Sequence, residues 1–148
     1  NIMAAFNVLS VFTYGDLIDK VYQVKKKYHN DERYWMEALQ LDTSYLRWPS
    51  HLSIKILEPH QKELILDAAK KAMYYGMKDT PMNTHGFSDI QIQKIKRAYD
   101  YAISDGMFDV EKHRNDFASF ITEYDKRRGT NFVETFPELK DLYVKYKK

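Results

Sequence analysis

The order strand, helix, strand in residues 1–57 constrains the fold more than any other feature of this chain. Residues 2–12 are apolar, rich in β-branched and aromatic side chains, and about as long as a buried strand. An apolar stripe at helical spacing follows, and residues 39–48 form a second extended segment that a proline ends. This pattern predicts a β-α-β crossover with two parallel strands. Polar and apolar residues alternate at positions 51–57, which predicts a third strand or an extended loop.

Residues 58–148 are predicted to form four helices. Pro59 suits the first turn of one helix, and Gly76 is a suitable C-terminal stop. Ser88 and Gln91 form a capping-box pair before the next helix. The chain is therefore predicted to be α/β to α+β, with a β-α-β domain at 1–57 and a predominantly helical extension at 58–148.

The stretch at residues 116–139, DFASFITEYDKRRGTNFVETFPEL, predicts the end of one amphipathic helix, a basic turn and the start of another helix. Three consecutive cations at residues 126–128 suit the negative end of the helix dipole. Gly129 is a suitable stop for that helix. Thr135, with Glu138 three residues later, predicts a capped start for the last helix.

Composition limits the classes of function that the chain can carry. Its 148 residues suit one domain, and 23 Lys and Arg against 21 Asp and Glu are too balanced to indicate nucleic acid by themselves. The chain has no cysteine, which excludes disulfides, thiolate zinc sites and cysteine-ligated iron–sulfur clusters within it and favours a cytoplasmic location. No apolar run approaches the ~20 residues of a membrane span, so no membrane partner is predicted. The opening at Asn1, directly before apolar sequence, suggests a fragment of a longer chain.

Few residues stand out as candidates for chemistry. The five histidines never occur at a spacing of three or four, and no metal ligands are predicted. Asn7 interrupts an apolar strand, and a buried amide there needs either backbone or ligand partners. Asp42 lies near the carboxyl end of a predicted parallel strand, where ligand sites occur, although a satisfied structural carboxylate explains it equally simply.

A basic aromatic surface for single-stranded nucleic acid is an alternative hypothesis. It would combine the cations at residues 25–27, a second run of cations, many tyrosines, Trp35 and Trp48. The second run consists of Lys126, Arg127 and Arg128. Both runs also have a simpler role at the ends of helices.

Four segments resemble the C-terminal part of radical SAM proteins of the twitch-domain type, some of them known from phage and bacterial genomes. The segments are NVLSVFTYGDLIDKV, LDTSYLRWPSHLSIKIL, KIKRAYDYAISDG and DFASFITEYDKRRGTNFVETFPEL. The resemblance implies that residues 1–57 are the late strands of a partial TIM-type barrel and that the helices are a C-terminal extension. In that family a CxxxCxxC motif holds a [4Fe–4S] cluster that cleaves S-adenosylmethionine. This chain lacks the motif, so the resemblance implies a missing N-terminal portion as its partner.

The same resemblance implies roles for four residues. Asn7 and Gln40 would face S-adenosylmethionine, while Asp42 and Arg47 would contact an unknown substrate. The expected function is a segment that contributes barrel wall and helical scaffold, with no complete active site and no catalysis on its own. The alternative is a stand-alone helical interaction module that binds protein or nucleic acid through a basic aromatic face.

Overall fold

The sheet consists of two parallel strands joined through a helix. The computed structural model describes residues 1–29, 39–76 and 85–148. Strand β1 spans Ile2–Phe6 and strand β2 spans Leu41–Tyr45, paired in parallel from Ile2 with Leu41 to Phe6 with Tyr45. Helix α1, Tyr14–Lys27, lies between them in the chain. The predicted β-α-β order is confirmed.

Helices make up most of the remaining chain. They are α2 (Pro59–Tyr74), α3 (Asp89–Ile103), α4 (Val110–Arg128), α5 (Phe132–Thr135) and α6 (Lys140–Tyr146). The predicted cap at Ser88 is present: Ser88 Oγ accepts a hydrogen bond from the Gln91 amide at 3.5 Å. Gly129 ends α4 in the left-handed conformation, with φ of 65°. The mixed, predominantly helical class is thus confirmed.

Two elements that the sequence predicts within residues 1–57 differ in the structure. The first strand stops at Phe6, because the Asn7 side chain turns the backbone by accepting a hydrogen bond from the Leu9 amide at 2.9 Å. The predicted third strand at residues 51–57 is wrong: two 3-10 turns, Ser50–Leu52 and Ile54–Ile56, take its place. Residues 53–57 are all buried, so their alternating polarity does not mark alternating faces.

The predicted cap at Thr135 is also wrong, because Thr135 ends the short helix α5 and α6 begins at Lys140. Asp125 organises this corner instead. Its carboxylate accepts hydrogen bonds from the Phe132 amide at 2.8 Å and from Thr130 Oγ1 at 2.7 Å. Thr135 Oγ1 instead donates a hydrogen bond to the Asn131 carbonyl at 3.1 Å, just before α5.

One hydrophobic core connects the strands to the helices. Phe6 of β1 stacks on Tyr14 of α1 with ring centroids 3.6 Å apart, and the Tyr14 hydroxyl lies 2.8 Å from Thr43 Oγ1 of β2. Ile95 of α3 and Phe117 of α4 are completely buried in the same cluster. Each such side chain contributes roughly 1.5–3 kcal/mol through burial, so the core holds α3 firmly beside β2.

The outer face of the sheet remains open to solvent. Met3 is 81% exposed, and Ala5 and Ser44 are exposed as well, whereas Phe6 and Leu41 point into the core. Parallel sheets normally have both faces covered. No helix within the described ranges is both long and apolar enough to cross a membrane.

Candidate functional site

A basic groove runs between β2 and α3, and we call it the β2–α3 groove. The end of β2 and Arg47 just beyond it form one wall, and two residues at helical spacing on α3 form the other. Its main cavity has a volume of about 340 Å³. The lining residues are Thr43, Ser44, Tyr45, Arg47, Lys94 and Arg97.

Stacked tyrosines hold a cation at one end of the groove. The rings of Tyr45 and Tyr101 are 4.5 Å apart and inclined by 20°. The Arg47 guanidinium lies 5.1 Å from the Tyr45 ring centroid and 5.8 Å from that of Tyr101, within the range of cation–π attraction. Arg47 Nη2 also donates a hydrogen bond to the Tyr45 hydroxyl at 2.9 Å. This hydrogen bond raises the pKa of Arg47 further, so its charge is permanent.

Trp48 extends the aromatic surface into solvent. It follows Arg47 directly and is 79% exposed. A large aromatic ring at that exposure forms no part of the core, and its face is free to stack on a ligand. Arg47 and the two stacked tyrosine rings therefore lie side by side at this end of the β2–α3 groove, and Trp48 is the next residue along the chain.

An ion pair crosses the middle of the groove. Lys94 Nζ of α3 lies 2.6 Å from Asp42 Oδ1 of β2. Beyond this pair lies a second cavity of about 220 Å³, which Gln40, Asp42 and Lys94 help to line. Because the pair spans an unpaired strand edge, it also opposes the addition of another strand there.

The charge of the groove is positive. Arg97 is exposed and has no ion pair to any of the described residues, and Arg47 has none either. Together with Lys94 they set three cations against the single carboxylate of Asp42. Such a surface attracts anions, and it combines that attraction with ring faces.

The structure brings three of the four resemblance-based residues to this groove. Asp42 and Gln40 line its second cavity, and Arg47 lines the first. Asn7 lies apart, just after β1, while Gln40 lies just before β2. Because the strands are parallel and in register, these two residues are at opposite ends of the sheet, roughly 20 Å apart at ~3.3 Å per residue. The Asn7 side-chain oxygen is bound to backbone, as one of the two interpretations predicted.

The two cationic runs lie on other elements. Residues 126–128 are exposed at the end of α4, where Arg127 Nε is 3.6 Å from Glu123 Oε2. Their proposed role in nucleic-acid binding stays a prediction. In the other run Lys25 is completely buried and donates a hydrogen bond to the Leu39 carbonyl at 2.7 Å, so it offers no surface charge. Trp35 lies outside the described residues.

Sequence reasoning missed the α3 side of the groove. Lys94, Arg97 and Tyr101 follow one another at spacings of three and four, and they flank the apolar stripe of that helix. This spacing was the available signal. It does not indicate which strand the helix faces, and only the packing of α3 on β2 makes these residues part of a site.

Comparisons with known proteins assign no family. No family model matches the chain, and no curated protein or solved structure matches it. Within the part of the chain that the structure describes, no three His, Asp or Glu side chains are grouped as metal ligands would be. The β2–α3 groove is therefore the candidate functional site.

Proposed function

We propose that this protein is an interaction module that binds single-stranded nucleic acid in the β2–α3 groove. The observation that carries the proposal is the juxtaposition of three cations with stacked tyrosines. An exposed tryptophan, Trp48, directly follows Arg47 in the chain. Proteins that bind single strands without sequence preference combine a positive groove with aromatic stacking platforms. This groove has both.

The two kinds of contact have separate roles in this proposal. Arg97 and Lys94 attract phosphates along α3, where Arg97 has no competing carboxylate among the described residues. Trp48 offers a ring face to a base. The Arg47 guanidinium packs on the Tyr45 ring and remains exposed to solvent. Duplex DNA does not expose its base faces, so the module should prefer single strands.

A direct test compares labelled single-stranded and duplex oligonucleotides in a gel shift at low salt. The wild-type protein should shift the single strand at lower concentration. Trp48→Ala should weaken binding by about tenfold, since stacking contributes ~1–3 kcal/mol per base. Trp48 is solvent-exposed, so circular dichroism of the variant should match the wild type. Equal shifts for the wild type and Trp48→Ala would contradict a stacking role.

A second candidate is the segment of a radical SAM-like protein that the resemblance implies. The uncovered outer face of the sheet, with Met3 and Ala5 exposed, favours it. Two-stranded parallel sheets with one open face are uncommon, and further strands of a partial barrel would cover and extend this one. Residues 1–57 would then be barrel wall, residues 58–148 an extension, and an N-terminal portion the partner.

The cofactors of that family do not fit the residues of this chain. A [4Fe–4S] cluster needs thiolates, and the sequence contains no cysteine. The cluster and S-adenosylmethionine would depend on the N-terminal portion, and the Asn7 side-chain oxygen is already bound to backbone. Sequencing upstream in the native gene tests this candidate: an in-frame CxxxCxxC supports it, and its absence contradicts it. Both candidates would work in the cytoplasm.

A further inference from the structure

A second basic cavity lies at the turn between α3 and α4. Its volume is about 140 Å³, enough for a small ion at roughly 30 Å³ per water-sized group. Two lysines from other parts of the chain line it: Lys55 from the 3-10 turn before α2, and Lys62 from α2. Residues 102–106, Phe108 and Val110 form the rest of the wall.

The side-chain ammonium of Lys55 is held in place at this turn. Its side chain is buried, and Nζ donates a hydrogen bond to the Ser104 carbonyl at 2.9 Å. The ammonium lies 4.9 Å from the Tyr101 ring centroid and 5.4 Å from that of Phe108. None of the described carboxylates forms an ion pair with it. The positive charge is thus held in place without a counterion.

Lys62 is half-buried, and its side-chain ammonium has neither a hydrogen bond nor an ion pair to the described residues. Burial lowers its pKa, and the nearby cations Arg114 and Lys55 lower it further. Glu58 opposes this effect. The Glu58 carboxylate already forms an ion pair with Arg114, since Glu58 Oε1 lies 3.2 Å from Arg114 Nη1.

The only carboxylate that lines the cavity is Asp105, among the residues that the structure describes. Asp105 is exposed and forms no ion pair with either lysine. Gly106 leaves room beside Lys55, since a Cβ added there would lie 3.8 Å from Lys55 Nζ. The cavity therefore has two lysine charges, an open position next to one of them, and one exposed carboxylate that pairs with neither lysine.

We propose that this cavity binds a small oxyanion of the phosphate class, with Lys62 as its principal charge contact. Burial disfavours an uncompensated ammonium, and a bound anion removes that penalty. The ion could be free phosphate or a phosphate at the end of a nucleic-acid strand. The site does not depend on the β2–α3 groove, because none of its lysines lines that groove.

The test is calorimetric titration of the full chain with inorganic phosphate, against chloride at equal ionic strength. We expect saturable binding by the wild type. Lys62→Gln should weaken it by about tenfold or more, as loss of a charged hydrogen bond does. Lys62→Arg should keep most of the affinity, and Gly106→Ala should weaken it by narrowing the space at Lys55. Lys112→Gln, an exposed lysine outside the cavity, is the matched control.

A second arm separates the two sources of phosphate. If a 5′-phosphorylated oligonucleotide binds more tightly than its hydroxyl form, and Lys62→Gln abolishes the difference, the site takes a strand terminus. Equal affinity of the two forms, with saturable binding of inorganic phosphate, indicates free phosphate. The proposal is overturned if the wild type shows no saturable uptake of phosphate, or if Lys62→Gln binds it as well as the wild type. If Trp48→Ala binds oligonucleotides as tightly as the wild type does, the outcome of the phosphate titration is not affected.

Discussion

Lys94 Nζ lies 2.6 Å from Asp42 Oδ1, so a side chain of α3 reaches the unpaired edge of β2. This contact has two consequences. A charged side chain at a strand edge opposes edge-to-edge pairing, which protects a sheet that would otherwise be open to aggregation. The same contact places the single carboxylate of the β2–α3 groove against one of its three cations.

Asp42→Asn should increase the affinity for single-stranded oligonucleotides, because it frees the Lys94 ammonium and removes a negative charge from the β2–α3 groove. Partly exposed ion pairs contribute up to about 1 kcal/mol, which corresponds to an increase of up to about fivefold. Fluorescence anisotropy at fixed salt measures the change. Asp67→Asn, which breaks the exposed Lys70–Asp67 pair on α2, should leave the affinity unchanged. A loss of affinity in Asp42→Asn would show that the carboxylate itself contacts the ligand.

Gly129→Ala should destabilise the protein through its backbone alone. Gly129 has φ of 65°, and a Cβ added there would meet no atom within 4 Å. The left-handed conformation costs a residue with a side chain about 1 kcal/mol, so the free energy of unfolding in urea should fall by that amount. Gly129→Asn should lose less, because asparagine tolerates this conformation. Equal stability of Gly129→Ala and the wild type would mean that the turn rearranges.

Acid should destabilise the fold in part through His51. Burial lowers the pKa of His51, Asp116 raises it, and His113 lowers it again. His51 Nε2 is buried without a hydrogen-bond partner among the residues that the structure describes. The folded state thus resists protonation, while the unfolded chain takes up the proton near the ordinary pKa of ~6.5. Stability is therefore lost as the pH falls below that value.

The measurement is the Tm of the wild type and of His51→Phe between pH 8 and pH 5. Phenylalanine preserves a ring beside Phe120, whose centroid is 4.9 Å from that of His51. The two proteins differ only in this ring, so the Tm of His51→Phe should fall less over this range. Parallel curves would exclude a contribution from His51.

Alkali should destabilise the fold through Tyr14. Burial raises the pKa of Tyr14 to about 12, although its hydrogen bond with Thr43 opposes the shift. The unfolded chain releases this proton near pH ~10. The folded state keeps the proton longer, so stability is lost between about pH 10 and about pH 12. Tyr14→Phe should show a shallower loss of urea stability above pH 10, and equal slopes would contradict this account.

The sequence predicts the helices and strands better than it predicts the contacts between them. Parallel β1 and β2, the end of α4 at Gly129 and the cap at Ser88 follow from periodicity and capping chemistry, which are local. The corner at Asp125 does not, because that carboxylate captures the Phe132 amide from seven residues away. Tertiary contacts of this kind override a local signal such as the one at Thr135.

The groove was predictable only in part. Asp42 was identified as a candidate from its predicted place near the carboxyl end of a strand, and Arg47 from the family resemblance; both line the groove region. The reason given for Asp42 was wrong, because Asp42 is the second residue of β2. Lys94 and Arg97 carry no signal that separates them from ordinary exposed helical cations. Their role depends on which face α3 turns to β2, and the buried residues Ile95 and Ala98 fix that face through the core.

The most direct test of the account is the salt dependence of oligonucleotide binding by three proteins: the wild type, Arg47→Ala/Arg97→Ala and Arg127→Ala/Arg128→Ala. Removing two groove cations should weaken binding by at least about tenfold and lower the slope of log affinity against log salt by about 1.4, at ~0.7 per phosphate contact. The pair at the end of α4 should change neither quantity appreciably, since it lies outside the β2–α3 groove. Unchanged binding after loss of Arg47 and Arg97, or equal losses in both double variants, would contradict a nucleic-acid site in this groove.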